Sequence, residues 1–380
     1  MMGATTTRAL GVVRDDNPFE EMILNMGPQH PSTHGVLRLL IKVSGEFVDD
    51  CQLHVGYLHR CHEKLSEKRT YAGALPLPDR LDYVCAVPNG WALCLAAEKL
   101  AGVGVPERAE YLRVIASELN RIASHLLFIG TFGIDLGAMT LLLYAFRERE
   151  YFLDLLQALS GARLTYHYIR LGGVMRDLPE GFKEQAEAAM VNVERRLPEY
   201  HALFTNNKIM RERSEGIGII PRETALEMGF SGPTLRASGV PYDVRRADPY
   251  GVYDRLDFDI PVGETGDSFD RYRMRYLEIE QSMRIVRQAL KQIPAGEYRT
   301  PIRGRFKPAV GWSYGHVECA RGDVGYYIVS DGSDKPYRLK VRAPSFNNLA
   351  GIERLVTGWK IADVVAILGS IDIVLGDVDR

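Results

Sequence analysis

Five of the nine histidines stand between residues 30 and 62: His30, His34, His54, His59 and His62. The first two belong to Gly27-Pro28-Gln29-His30-Pro31-Ser32-Thr33-His34-Gly35, a stretch bracketed by glycine and stiffened by two prolines. Such a stretch continues neither helix nor strand, so its histidines are displayed rather than packed. Three chemistries are open to them. They can simply decorate a surface loop. They can join His54, His59 and Cys61 around a metal, although the ligands fall on separate elements without a standard zinc spacing. Or they can move protons, because imidazole is the side chain whose ordinary pKa lies near neutrality.

Other chemistries have less support. Gly216-Ile217-Gly218 and Gly102-Val103-Gly104 do not complete a dinucleotide-binding fingerprint, and no phosphate-cradling loop with its Gly-Lys-Ser/Thr end is present. A nucleotide held by a standard loop is therefore not expected. The five cysteines, at 51, 61, 85, 94 and 319, form no CxxC pair. They read as scattered thiols, most of them small core residues, rather than as a disulfide framework or an iron–sulfur cradle. Lys plus Arg number 47 against 49 Asp plus Glu, a net charge of -2. That balance lacks the basic excess of a nucleic-acid binder. With 46% hydrophobic and 25% charged residues, the composition is that of a folded chain. No run approaches the roughly 18 apolar residues of a membrane span. The N-terminus has no basic segment leading into an apolar one, so an intracellular chain is expected.

The elements that position these residues follow from hydrophobic period. In Val36–Val43, Leu37, Leu39, Ile41 and Val43 share one face, which predicts a strand; Gly45-Glu46 supplies a turn and Phe47–Val55 the returning strand. In Pro106–Thr131 apolar residues recur at steps of three and four, with Pro106, Glu107 and Glu110 marking a helix start. Further helices are expected at about Val84–Ala101, Asp135–Leu159, Glu180–Tyr200 and Asp270–Ile293. Stripes of this kind need one another, which predicts a helical bundle. Ser214–Gly266 is rich in Gly and Pro and reads as irregular, while Val324–Ser330 and Tyr337–Arg342 read as two strands. The expected class is α+β. Its parts are an N-terminal tail (1–19), a β-rich region bearing the histidine loop (20–83), a helical bundle (84–300) interrupted by 214–266, and a mixed C-terminal segment (301–380).

Eight blocks give a more specific signal: GPQHPSTHGVLR (27–38), GYLHRCHEKL (56–65), ALPLPDRLDY (74–83), DLGAM (135–139), YIRLGGV (168–174), LRASGVPYDVR (235–245), YYIVSDG (326–332) and LGDVDR (375–380). In this order they resemble the 49-kDa subunits of respiratory complex I, the family that includes the corresponding subunits of bacterial NADH-quinone oxidoreductases. That family is itself similar to the large subunit of nickel–iron hydrogenases, whose bimetallic centre is held by two CxxC pairs. Neither pair exists here, around Ala74–Tyr83 or Asp363–Arg380, so ligand count excludes hydrogenase activity.

The resemblance implies a hydrogenase-large-subunit-like fold and a quinone site where the relatives hold metal. Reducing quinone to quinol takes two electrons and two protons. The family's proton donors match His34 and Tyr83, and the acidic partner of the histidine matches Asp135. Arg60 and Arg80 match arginines lying near an iron–sulfur cluster of an adjacent subunit. No metal or nucleotide is implied in this chain itself. Implied partners are the cluster-bearing subunit, a 30-kDa-type subunit and a membrane-embedded subunit completing the quinone channel, at the cytoplasmic face of the membrane. The alternative is a non-catalytic scaffold in the same complex. Three departures stand out: Thr165 where many relatives carry His, with His167 two residues on; Cys61 where Gly is usual; and a shortened passage between Arg303 and Gly315. The last leaves NADH, ferredoxin or a reduced deazaflavin open as the electron donor.

Overall fold

In the computed structural model, which describes residues 22–302 and 304–380, three antiparallel strands come first. They are β1 (Met22–Met26), β2 (Arg38–Ser44) and β3 (Phe47–His54), with Ile41 opposite both Leu24 and Cys51. The tail at 1–19 and Arg303 lie outside the described residues. Alternation works as the sequence implies: Leu39, Ile41 and Val43 are buried, and Leu37 with them, each worth about 1.5–3 kcal/mol. Hydrophobic period alone did not reveal β1, the third strand of this sheet.

Five long helices follow: α1 (Ala86–Ala101), α2 (Glu107–Asp135), α3 (Met139–Ser160), α4 (Phe182–Tyr200) and α5 (Ser268–Gln292). They carry the main core, in which Leu112, Ile115, Leu119, Ile122, Leu126 and Ile129 form the buried stripe of α2. One boundary differs in a way that matters. The helix placed at Asp135–Leu159 begins at Met139, and Asp135 instead ends α2, followed by a turn through Gly137 at φ +95°. Asp135 is thus the last residue of one helix and not the first of the next. Ser214–Gly266 contains the short helices Arg222–Glu227, Gly232–Ala237 and Val244–Ala247, and it delivers the buried Arg236 and Arg245 to the core.

A second three-stranded antiparallel sheet follows, made of β4 (Gly311–Cys319), β5 (Gly322–Ser330) and β6 (Arg338–Arg342). The shortened passage before Gly315 therefore includes the start of a strand. That strand lies directly on α1: a Cβ on Gly315 would stand 2.5 Å from the Ala96 nitrogen, so only glycine permits the approach. The chain closes with α6 (Ile361–Ile371) and α7 (Leu375–Asp379). These helices pack under the N-terminal sheet: Leu39, Ile41 and Val43 share one cluster with Val364, Ile367, Ile371 and Leu375. The two ends of the chain build one core.

Candidate functional site: an imidazole, a phenol and two carboxylates around a cavity

The histidine loop is ordered by its own polar groups. Pro31–Thr33 forms a 3-10 turn; Thr33 Oγ1 donates to the His30 carbonyl at 2.7 Å, and Ser32 N–H to His30 Nδ1 at 3.2 Å. His34 closes the turn in the left-handed region at φ 55°, a conformation a non-glycine residue adopts only when its surroundings hold it. What holds it is an ion pair. His34 Nε2 lies 2.6 Å from Asp135 Oδ2, with side-chain exposures of 18% and 7%.

The loop and the end of α2 meet across α6. A Cβ on Gly369 would fall 2.4 Å from Asp135 Oδ2, so a glycine on α6 leaves the room the carboxylate occupies. Asp372, in the left-handed region at the end of α6, adds a second negative charge near His34. Burial opposes the imidazolium. The Asp135 hydrogen bond and charge, with the charge of Asp372, outweigh it and raise the His34 pKa above its ordinary value.

Tyr83 faces the same space. It lies three residues before α1, and burial and then the neighbouring Asp82 charge raise its phenol pKa. His34, Tyr83, Asp135 and Asp372 line a cavity of about 390 Å³ whose remaining wall is largely apolar, from Leu127, Ile134, Ile373 and Val374. A second hollow of about 650 Å³ along Pro28–Val36 shares Pro31 and His34 with it. Volumes and lining of this kind suit a small organic ligand gripped by a few polar groups.

Arg321 and Asp372 are site residues that nothing in the sequence singled out. Arg321 is buried and lines the cavity; it donates to Ser124 Oγ at 2.5 Å and to Asp372 Oδ1 at 3.2 Å. Arg275 Nε stands 3.4 Å from Asp372 Oδ2, an ion pair without hydrogen-bond geometry. The one available signal was position, since Asp372 lies three residues before the block LGDVDR.

Arg60 and Arg80 are exposed and line neither cavity beside His34. Arg80 Nη1 donates to the Pro76 carbonyl at 2.7 Å, in the turn Pro78–Arg80 that leads directly to Tyr83. Both arginines act on His62, whose pKa falls to about 4 through burial first and then the charges of Arg60, His59 and Arg80. Cys61 is exposed, unlike the other four cysteines, and stands at φ 57°, the conformation for which glycine is the ordinary choice. Beside Arg80 lies a larger, cationic hollow of about 710 Å³ lined by His167, Arg170 and Arg299. His167 is neutral at physiological pH; burial, Arg170 and Arg80 bring its pKa to about 4.

The alternative of a metal on His30, His34, His54, His59 and Cys61 is not assembled among the described residues. His34 is committed to Asp135, and of this set only Cys61 Sγ and His59 Nε2 approach, at 3.6 Å.

Residues 135–305 and 301–380 match the family described as respiratory-chain NADH dehydrogenase, 49 Kd subunit. The chain belongs to that family. It is 50% identical over 360 residues to the D subunit of the NADH-quinone oxidoreductase of Desulforamulus reducens, covering 95% of this chain and 98% of the relative. The D subunits of the Geobacillus thermodenitrificans enzyme (51% over 364 residues) and the Bacillus cereus ATCC 10987 enzyme (48% over 361 residues) are similar, each covering 95% of this chain and 99% of the relative. No helix among the described residues is long and apolar enough to cross a membrane.

Proposed function

We propose that this chain is the quinone-site subunit of a membrane-associated, proton-translocating oxidoreductase of the complex I type. In this reading, electrons from NADH or a ferredoxin-type donor arrive through an iron–sulfur cluster in an adjacent subunit, on the side of Arg60 and Arg80. Quinone enters the cavity beside His34 and Tyr83 and leaves as quinol. The chain sits peripherally at the cytoplasmic face, between the cluster-bearing subunit, a 30-kDa-type subunit and a membrane-embedded subunit that completes the quinone channel.

The observation that supports this best is the 2.6 Å contact of His34 Nε2 with Asp135 Oδ2 on the wall of a cavity that also receives Tyr83. Each quinone carbonyl oxygen gains one proton as the pair of electrons arrives. His34, kept protonated by two carboxylates, supplies one; the Tyr83 phenol supplies the other. The raised phenol pKa disfavours a lasting phenolate, so Tyr83 gives up its proton only as reprotonation follows. The fixed charges of Arg60 and Arg80 would favour the reduced cluster and raise its potential. Once its proton has left, neutral His34 no longer balances Asp135. That change of charge on the end of α2 is the step by which quinone chemistry biases proton movement in the membrane subunits.

The test is Tyr83→Phe in the assembled complex in native membranes, with cluster reduction followed by electron paramagnetic resonance. Clusters that still reduce while quinone turnover collapses at least tenfold are expected, in keeping with the contribution of a positioned proton donor, about 10²–10⁴-fold. Unchanged turnover would replace this reading with that of a non-catalytic scaffold.

A further inference from the structure

Cys85 and Cys319 lie far apart in the sequence, yet their sulfurs come within 4.8 Å of each other. Cys85 immediately precedes α1 and Cys319 ends β4. With Asp82 they are 0% exposed, and one ligand atom from each of the three lies within 4.8 Å of the others. Cys319 Sγ donates to Asp82 Oδ2 at 3.5 Å. The group is fixed in place: Asp82 Oδ1 accepts the Val84 and Cys85 amides at 3.2 and 2.9 Å, and Cys319 Sγ accepts the Arg321 amide at 3.4 Å. A second buried carboxylate stands near. Asp377 is 0% exposed, its Oδ1 has no hydrogen-bond partner among the described residues, and it feels the charge of Asp82.

We propose that Asp82, Cys85 and Cys319 form a site for one thiophilic divalent cation of the zinc class. Two sulfurs and a carboxylate oxygen are a donor set that zinc accepts and that magnesium or calcium does not. Three protein ligands also match the count of zinc sites that keep a fourth position for water or a small ligand. Tyr83 and Val84, between Asp82 and Cys85 in sequence, line the 390 Å³ cavity and give the ion a way in.

Charge is the decisive point, because burying a net charge here would be prohibitive. The cation displaces one proton from each thiol, so M²⁺ and two thiols become a bis-thiolate complex and two released protons. Asp82 keeps Arg321, 3.4 Å from it, as its partner. The net charge of the pocket is the same before and after. What changes is that the cation now lies between two thiolates and two crowded carboxylates. Two released protons make the apparent affinity fall about 100-fold for each unit of acidification, as long as both thiols carry their protons in the free chain. The inference does not depend on the quinone reading.

Cobalt(II) titration of the full chain tests it, because thiolate-to-cobalt charge transfer absorbs in the near ultraviolet. One cobalt per chain is expected, with an absorption abolished by Cys85→Ser and by Cys319→Ser and retained by Cys61→Ser, whose thiol is exposed. Should the buried serine variants fail to fold, the native chain decides: zinc should raise its Tm, more at pH 8 than at pH 6.5, and magnesium should not. The proposal is overturned by uptake well below one ion per chain, by an absorption that survives both buried substitutions, by a zinc effect absent at pH 8, or by finding Cys85 and Cys319 joined as a disulfide.

Discussion

Two carboxylates face His34 and raise its pKa, and the sequence made only one of them visible. The proline-rich loop showed that His30 and His34 are displayed but left surface, metal and proton roles open; family blocks, not spacing, singled out His34, Tyr83 and Asp135. Asp372 escaped because a residue that turns in at the end of a helix has no periodic signature. The same holds for Cys85 and Cys319, whose meeting is a property of the folded chain. At this scale the sharpest prediction concerns a residue with no side chain. Gly369→Ala would drive a methyl group to 2.4 Å from Asp135 Oδ2 and push the carboxylate off His34. Quinone turnover of the assembled complex should fall about 100-fold, the usual consequence of an ångström-scale misplacement, while the complex still assembles. Turnover at the wild-type rate would show that the position of Asp135 does not matter.

The long helices were legible because stripes at steps of three and four leave little choice. Their ends were less so: the stripe of α2 runs past Thr131 to Asp135, and Gly137 rather than the acidic residue marks the break. Ser214–Gly266 misled in another way. Its composition says loop, yet it places Arg236 and Arg245 among Glu118, Asp243, Glu278 and Glu318, all nearly inaccessible to solvent. Arg236 Nη2 contacts Glu278 Oε1 at 2.6 Å, and His125 Nε2 lies 2.9 Å from Glu278 Oε2. Polar residues within a glycine-rich stretch do not announce that they will be buried. Breaking such a network strands the remaining charges, so Glu278→Ala should lower the unfolding free energy of the chain by about 3–5 kcal/mol in a denaturant titration. Asp257→Ala, which removes an exposed partner of Arg284, should leave it close to wild type. Equal effects would mean that the buried network is not a distinct source of stability.

For the molecule as a whole, the α+β class was legible, but the packing of β1–β3 over α6 and α7 was not, since contacts between the two ends leave no trace in local pattern. That closure is what makes the site: His34 comes from the N-terminal loop, Tyr83 from the approach to α1, Asp135 from α2, and Asp372 from the end of α6. Each segment is innocuous alone. In the proposed mechanism Asp135 raises the His34 pKa so that the imidazole can deliver a proton to quinone. The pH dependence of quinone reduction in the wild-type complex and in Asp135→Asn decides whether it does. The folded-state pKa of His34 is raised, so the proton is present below that value and lost as pH rises through it. With Asp135 neutralised, burial becomes the dominant influence and lowers the pKa. The loss of activity toward alkaline pH should therefore move to lower pH in Asp135→Asn. A profile that stays in place, with turnover intact, would rule out that role for Asp135.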